Sequence, residues 1–283
     1  MNIDEKISAN NRYYVILLFS SVFILYLPVF YKFYMWWEGD ANYNHGIIVP
    51  LAAVYLIWKK RDTLKVLNKK SYTPGIYLIV LGVIFYFFGV RIEFLRITIF
   101  SFFSIFFGLL LYAYGKEITR ELLFPLCFLL LMIPIPYIDG LTLPLKLFAS
   151  MVSTGFIKLI GIPVIRNGNL IYLKNFTLEV ATSCSGLKSI VLVTTVGIFY
   201  AYITQKNLSR RILISFLSVF IAMLANISRI ILTALVSYYF GEKIAFKLTH
   251  DFSGIIVFII AGAMLVITGE IINWIFREKT AGY

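Results

Sequence analysis

The sequence predicts an all-α polytopic membrane protein of about eight transmembrane helices, with an amphipathic helix on the outer face and a short extracytoplasmic β-hairpin or loop. Three observations carry this. First, 60% of the 283 residues are hydrophobic and only 14% are charged, against roughly 25% charged in soluble domains. Second, the mean hydropathy is +0.86. Third, apolar runs recur near 13–35, 46–58, 75–91, 96–114, 121–137, 141–162, 187–204, 211–238 and 253–276. At about 20 residues per crossing the chain holds roughly seven to nine helices and no large soluble domain. It reads as a single integral-membrane domain over 1–283, which excludes a soluble globule, a disordered chain and a secreted disulfide scaffold.

Charge orients the runs. Lys and Arg number 26 against 14 acids, a net +12. In a soluble protein that excess would point to nucleic acid. Here it gathers in loops, as the positive-inside rule requires, so the expected partner is the lipid bilayer and no nucleic acid. The stretch WKKRDTLKVLNKK carries six Lys or Arg and one Asp, and it reads as cytoplasmic. Lys116 with Arg120, then Lys206 with Arg210 and Arg211, and finally Arg277 with Lys279 mark further cytoplasmic positions. WWEGDANYNHG has two acids and no base, and it reads as external. The first run has no small-residue cleavage site behind it and reads as a retained span.

These assignments constrain one another. If 121–137 ends outside and 187–204 ends inside, the run at 141–162 cannot cross once. It contains Lys146, Lys158 and Pro144, and it reads as a helix lying on the outer interface. Eight spans result, with both termini cytoplasmic. The alternative is that 141–162 crosses and another run is re-entrant. Residues 163–183 alternate like strands around the Asn167-Gly168 turn signal, which predicts a hairpin or extended loop outside.

Four polar places could carry chemistry. Cys184 stands in ATSCSGLKSIV, just before an apolar run. A helix N-terminus there would favour the thiolate and offer N–H groups to an oxyanion. Lys188, one turn on, would add positive charge. Arg229 stands within an apolar run, where a charge costs roughly 2.5–3.5 kcal/mol on the insertion scale. Asn226 lies three residues before it, on the same face. His250 stands at the outer entrance of the last run, placed to accept a proton from a thiol. His45 belongs to an external polar cluster with Asp40, Asn42 and Asn44, suited to a cavity mouth or to a plain turn. Bland readings stand beside each: a packed cysteine, a structural arginine, an interfacial histidine. The other cysteine, Cys127, lies at hydrocarbon depth, and a disulfide with Cys184 is not expected. No ligand spacing for a metal appears, and no cofactor is expected. The orientation puts Cys184 and His250 on one face with Arg229 beneath. Together they suit thiol-based acyl transfer.

At these residues the chain resembles the exosortase/archaeosortase family of integral-membrane cysteine enzymes. The matching segments are the CSG motif with upstream Glu179 and Ala181, Asn226-x-x-Arg229, His250-x-x-x-Gly254 and the early DANYNHGIIVPLAAVYLIWKKR. The resemblance implies catalytic roles for Cys184, Arg229 and His250. It implies a cysteine peptidase or transpeptidase of the cell inner membrane, with its site facing the extracytoplasmic side. Its substrates would be exported proteins with a C-terminal sorting tail, built of a Pro-Glu-Pro-type motif, a transmembrane helix and a basic end. The acceptor nucleophile is left open, and such systems accompany exopolysaccharide production. Lys188, Asn226 and His45 are the expected substrate-binding residues. Two rival readings are a transporter using Arg229, Asn226 and Glu270 as a polar pathway, and a non-catalytic scaffold for export or exopolysaccharide assembly. No internal repeat supports the first.

Overall fold

Peptide groups in a bilayer find no water, so long apolar stretches have the helix as their stable state. The computed structural model shows helices where the apolar runs stand, and it describes residues 3–39, 44–133, 138–174, 176–180, 187–241 and 253–278. Two compact units divide the chain, residues 1–134 and 135–283.

The first unit comprises α1 (Ile3–Gly39), α2 (Ile48–Lys59), α3 (Arg61–Val66), α4 (Gly75–Arg91) and α5 (Leu95–Phe128). A 3-10 turn, Asn44–Ile47, precedes α2, and another, Leu129–Met132, extends α5. Three buried glycines seven residues apart bring α4 against α5. A Cβ on Gly75 would lie 2.5 Å from the Gly108 carbonyl, one on Gly82 2.5 Å from Ile105, and one on Gly89 2.6 Å from Thr98 Oγ1. Small residues let helices approach where lipid gives no hydrophobic drive. Aromatic rings fill the seam between α1 and α5. Tyr26 meets Phe102 at 5.2 Å and shares a hydrogen bond with Ser101.

Helix α5 folds back on itself at one residue. Phe19, low on α1, meets Phe106 and Tyr114 at 5.3 and 6.5 Å. High on α1, the Arg96 guanidinium lies 4.7 Å over Trp36, and Trp37 Nε1 donates to the Met132 carbonyl at 3.0 Å. The chain therefore descends from Arg96 and has climbed back by Met132. The reversal is Gly115, at φ 84, where the left-handed region favours glycine. A Cβ there would strike the Lys70 carbonyl. The helix restarts at once, with Thr119 Oγ1 donating to the Gly115 carbonyl at 2.7 Å.

Basic residues gather at this lower end. Lys60 Nζ lies 2.7 Å from Glu121 Oε2, and Lys116 Nζ lies 4.0 Å over Tyr72. The two loops expected on one side thus share one end of the unit.

The second unit comprises α6 (Thr142–Leu159), a sheet, α7 (Leu187–Thr204), α8 (Leu208–Phe240) and α9 (Ser253–Glu278). The stretch expected to form one hairpin or loop is a three-stranded antiparallel meander. Its strands are β1 (Val164–Asn167), β2 (Leu170–Leu173) and β3 (Phe176–Glu179), paired Val164 to Leu173 and Leu170 to Glu179. Val164, Ile171 and Leu173 face a core shared with Ala149 and Ile157 of α6 and Ile227, Ile230 and Ala234 of α8. Helix α6 buries Ala149, Ser150, Ser153, Thr154 and Ile157. It turns Leu143, Met151, Phe156 and Leu159 outward, a large apolar face that suits lipid.

Five helices are long and apolar enough to cross a membrane, and Ile48–Lys59 and Gly75–Arg91 are apolar but shorter. Counting the two limbs of α5 separately, the described residues hold eight apolar helices. The 17 residues of α4 sit at the lower limit for a crossing, whereas the 12 of α2 reach only about 18 Å.

Candidate active site

The site is built around α8. Arg229 is 8% exposed and Asn226 is 2% exposed. Their i, i+3 spacing puts both on one face, and Arg229 Nη2 donates to Asn226 Oδ1 at 2.8 Å. A buried guanidinium is tolerated only where hydrogen bonds replace its water. Asn226 also walls a crevice between α6, α7 and α8 with Phe148, Ala149, Ile190 and Met223, of about 10 Å³. That is room for about one water molecule.

Depth follows from the same helix. Arg210, whose guanidinium lies 4.7 Å over Phe276 of α9, stands nineteen residues before Arg229 on α8. At 1.5 Å per residue the two are about 28 Å apart along the axis, close to the roughly 30 Å of a hydrocarbon core. Sheet backbone cannot face lipid, and the meander packs against the Arg229 half of α8. Arg229 therefore belongs near the membrane boundary opposite Arg210.

Close packing sets the levels of the other helices. A Cβ on Gly197 of α7 would strike Ser218 of α8 and lie 3.5 Å from Leu265 of α9. Toward one end, Ala201, Ile214 and Ile272 share a cluster; toward the other, Val193, Ala225 and Val257 do. Helix α7 thus runs antiparallel to α8 and parallel to α9. From the Gly197 level, Leu187, Arg229 and Ser253 lie about 15, 16 and 18 Å along their axes. The first turns of α7 and α9 therefore open at the level of the Asn226–Arg229 pair. Each brings the positive end of a helix dipole.

The expected site residues fall on this frame unevenly. Asn226 and Arg229 are joined by a hydrogen bond. Lys188 stands in the first turn of α7, exposed between buried Leu187 and Ser189. Cys184 and His250 lie outside the described residues; in the sequence each stands three residues before a helix start, at Leu187 and Ser253. The backbone of His45 belongs to the 3-10 turn Asn44–Ile47 of the first unit, and its side chain lies outside the described residues. That turn rests on Trp37, since a Cβ on Gly46 would lie 2.7 Å from the indole ring.

The chain approaches Cys184 from a fixed point. Val180, buried in the cluster of Ile227 and Ile230, donates its N–H to the Asn169 carbonyl at 3.0 Å. Six residues, 181–186, then join Val180 to Leu187. Glu179, just before, is exposed. Sequence reading did not single out Gly197 or Ser218, which set the helix levels. Their only signal is that they are small residues within apolar runs. Among the described residues, no three of His, Cys, Asp and Glu come together as a metal site would need.

The family model described as Transmembrane exosortase matches residues 36–267, most of the chain. No curated protein matches the chain, and no solved structure does.

Proposed function

The chain belongs to the transmembrane exosortase family, and from that premise we propose a membrane-embedded cysteine transpeptidase acting on the C-terminal sorting tails of exported proteins. The observation that carries this is the common level of Arg229, the α7 start and the α9 start. Cys184 is tethered between Val180 and Leu187, within six residues of both. At no more than about 3.6 Å per residue its reach is short. His250 is tethered as closely to the start of α9.

The chemistry follows from these positions. The Cys184 thiolate attacks the scissile carbonyl beside the tail's Pro-Glu-Pro-type motif. Arg229, oriented by Asn226, steadies the oxyanion or holds an acidic group of the motif. The C–N bond breaks, and His250 gives its proton to the leaving nitrogen. A thioester joins Cys184 to the new C-terminus. An acceptor amine then attacks the thioester, loses a proton to His250 and releases the thiolate. Water in the same place makes the enzyme a protease, and a site shielded from water favours transfer. Lys188 and His45 are the further substrate-binding residues of this reading. The protein would sit in the cell inner membrane with Arg229 toward the extracytoplasmic side.

Co-expression with a tailed substrate tests this. Wild type shortens the substrate, and Cys184→Ala, Arg229→Ala and His250→Ala, at equal membrane levels, leave it intact. A Cys184→Ala variant that still cuts ends the thiol mechanism.

A further inference from the structure

The first unit holds a second concave feature, at its basic end and away from the Asn226–Arg229 pair in sequence and role. A cleft of about 130 Å³ opens between α1 and α5, comparable to the roughly 150 Å³ that admits a benzene ring in an engineered cavity. Its walls are Val15, Leu18 and Phe19 of α1 with Tyr112 and Ala113 of α5, and Ser71 stands among its lining residues. Apart from Ser71 and Tyr112 the lining side chains are apolar, although polar atoms make up a substantial share of the lining surface.

The segment carrying Ser71 also carries the charge. Lys69 and Lys70 precede it and are exposed, and Lys116 follows Gly115 and is exposed. Aromatic rings hold two of them in place: Lys69 Nζ lies 5.9 Å from the Tyr114 ring centroid, and Lys116 Nζ lies 4.0 Å from that of Tyr72. The Lys70 carbonyl fills the space that the missing Cβ of Gly115 leaves, so the basic segment is fastened against α5 one turn from Tyr112. Among the described residues none of these three lysines has a carboxylate within ion-pair distance, although Lys60, Arg61 and Lys65 nearby do. Three exposed lysines thus stand on the two segments, 69–71 and 112–116, that contribute to the cleft.

We propose that this cleft binds one anionic glycerophospholipid, its acyl chain lying between α1 and α5 and its phosphate held by Lys69, Lys70 and Lys116. Clustered basic residues at a membrane surface attract acidic lipid, and the slot supplies the apolar part that a loop alone lacks. The site is independent of the thiol chemistry.

Native mass spectrometry and thermal unfolding of the purified protein test it, with phosphatidylglycerol, phosphatidylcholine and glycerol phosphate as separate probes. Phosphatidylglycerol is expected to be retained as one bound lipid and to raise the melting temperature more than either other probe. Replacing Lys69, Lys70 and Lys116 with Gln should weaken retention by about fivefold per lysine. Ala113→Phe should close the slot and lose the lipid with the lysines intact. An unchanged melting temperature in phosphatidylcholine shows that both variants fold. Equal retention of phosphatidylcholine overturns the charge selectivity, and an equal shift from glycerol phosphate overturns the acyl slot. Undiminished retention by both variants overturns the site.

Discussion

Arg229 donates to Asn226 across a single turn of α8, with both side chains buried. The bond fixes one edge of the guanidinium plane and leaves its direction set before any substrate arrives. A hydrogen bond to a charged group contributes about 1.5–3 kcal/mol. Asn226→Ala should therefore slow tail processing by about 10- to 100-fold. Arg229→Lys should slow it at least as much, because an ammonium cannot reproduce the planar fork. Initial rates with a tailed reporter measure both, and full activity in Arg229→Lys would reduce Arg229 to a point charge.

Removing the thiol should remove all turnover. Cys184→Ala is expected to leave the substrate full length, and wild type without acceptor should accumulate a covalent adduct that hydroxylamine releases. Intact-mass analysis reads the adduct. Release of product from wild type with no adduct at any time point would count against a thioester.

Gly197 sets the approach of α7 to α8, and its replacement should loosen both. Gly197→Val overfills the contact with Ser218 and should cost about 1–3 kcal/mol. Gly262 of α9 has nothing within 4 Å of an added Cβ, so Gly262→Ala should be neutral or add about 0.5–1 kcal/mol through helix propensity. Thermal melts compare the pair. Equal melting temperatures would show that the Gly197 contact sets nothing.

Glu93, between α4 and α5, has φ 56, a conformation that costs a side-chain-bearing residue about 1–2 kcal/mol. Glu93→Gly should relieve most of that and raise the melting temperature. A fall would mean that the Glu93 side chain contributes more than its backbone costs.

Orientation has its own test. In a background of Cys127→Ala and Cys184→Ala, a cysteine at exposed Thr177 of β3 should react with an impermeant maleimide in intact spheroplasts. One at exposed Ser209, beside Arg210, should react only after lysis. The reverse pattern would invert the protein in its membrane.

Much of this architecture is legible in the sequence because lipid is a severe solvent. Apolar length alone marks α1, α7, α8 and α9. The Lys and Arg counts put Lys60 and Lys116 at one end, where they are found together. The Asn226–Arg229 bond follows from helical spacing. Other features depend on what meets what. Lys174 interrupts the alternation before β3, so a meander reads as a hairpin. Helix α6 buries serines and threonine while turning Phe156 and Leu159 outward, the inverse of a soluble amphipathic helix. The levels of Leu187, Arg229 and Ser253 rest on the contact of Gly197 with Ser218, and no local pattern announces which small residue faces which.

The turn at Gly115 bears on how the protein is made. A membrane reversal ordinarily has a loop that the translocon can hold while one helix settles and the next emerges. Here Gly115 alone separates the two limbs of α5, so no loop is available to hold one limb apart while the other emerges. The pair must leave the translocon together, as a preformed hairpin. A longer connection at that point would uncouple their insertion, and it would also push Lys70 away from the glycine whose missing side chain makes room for its carbonyl.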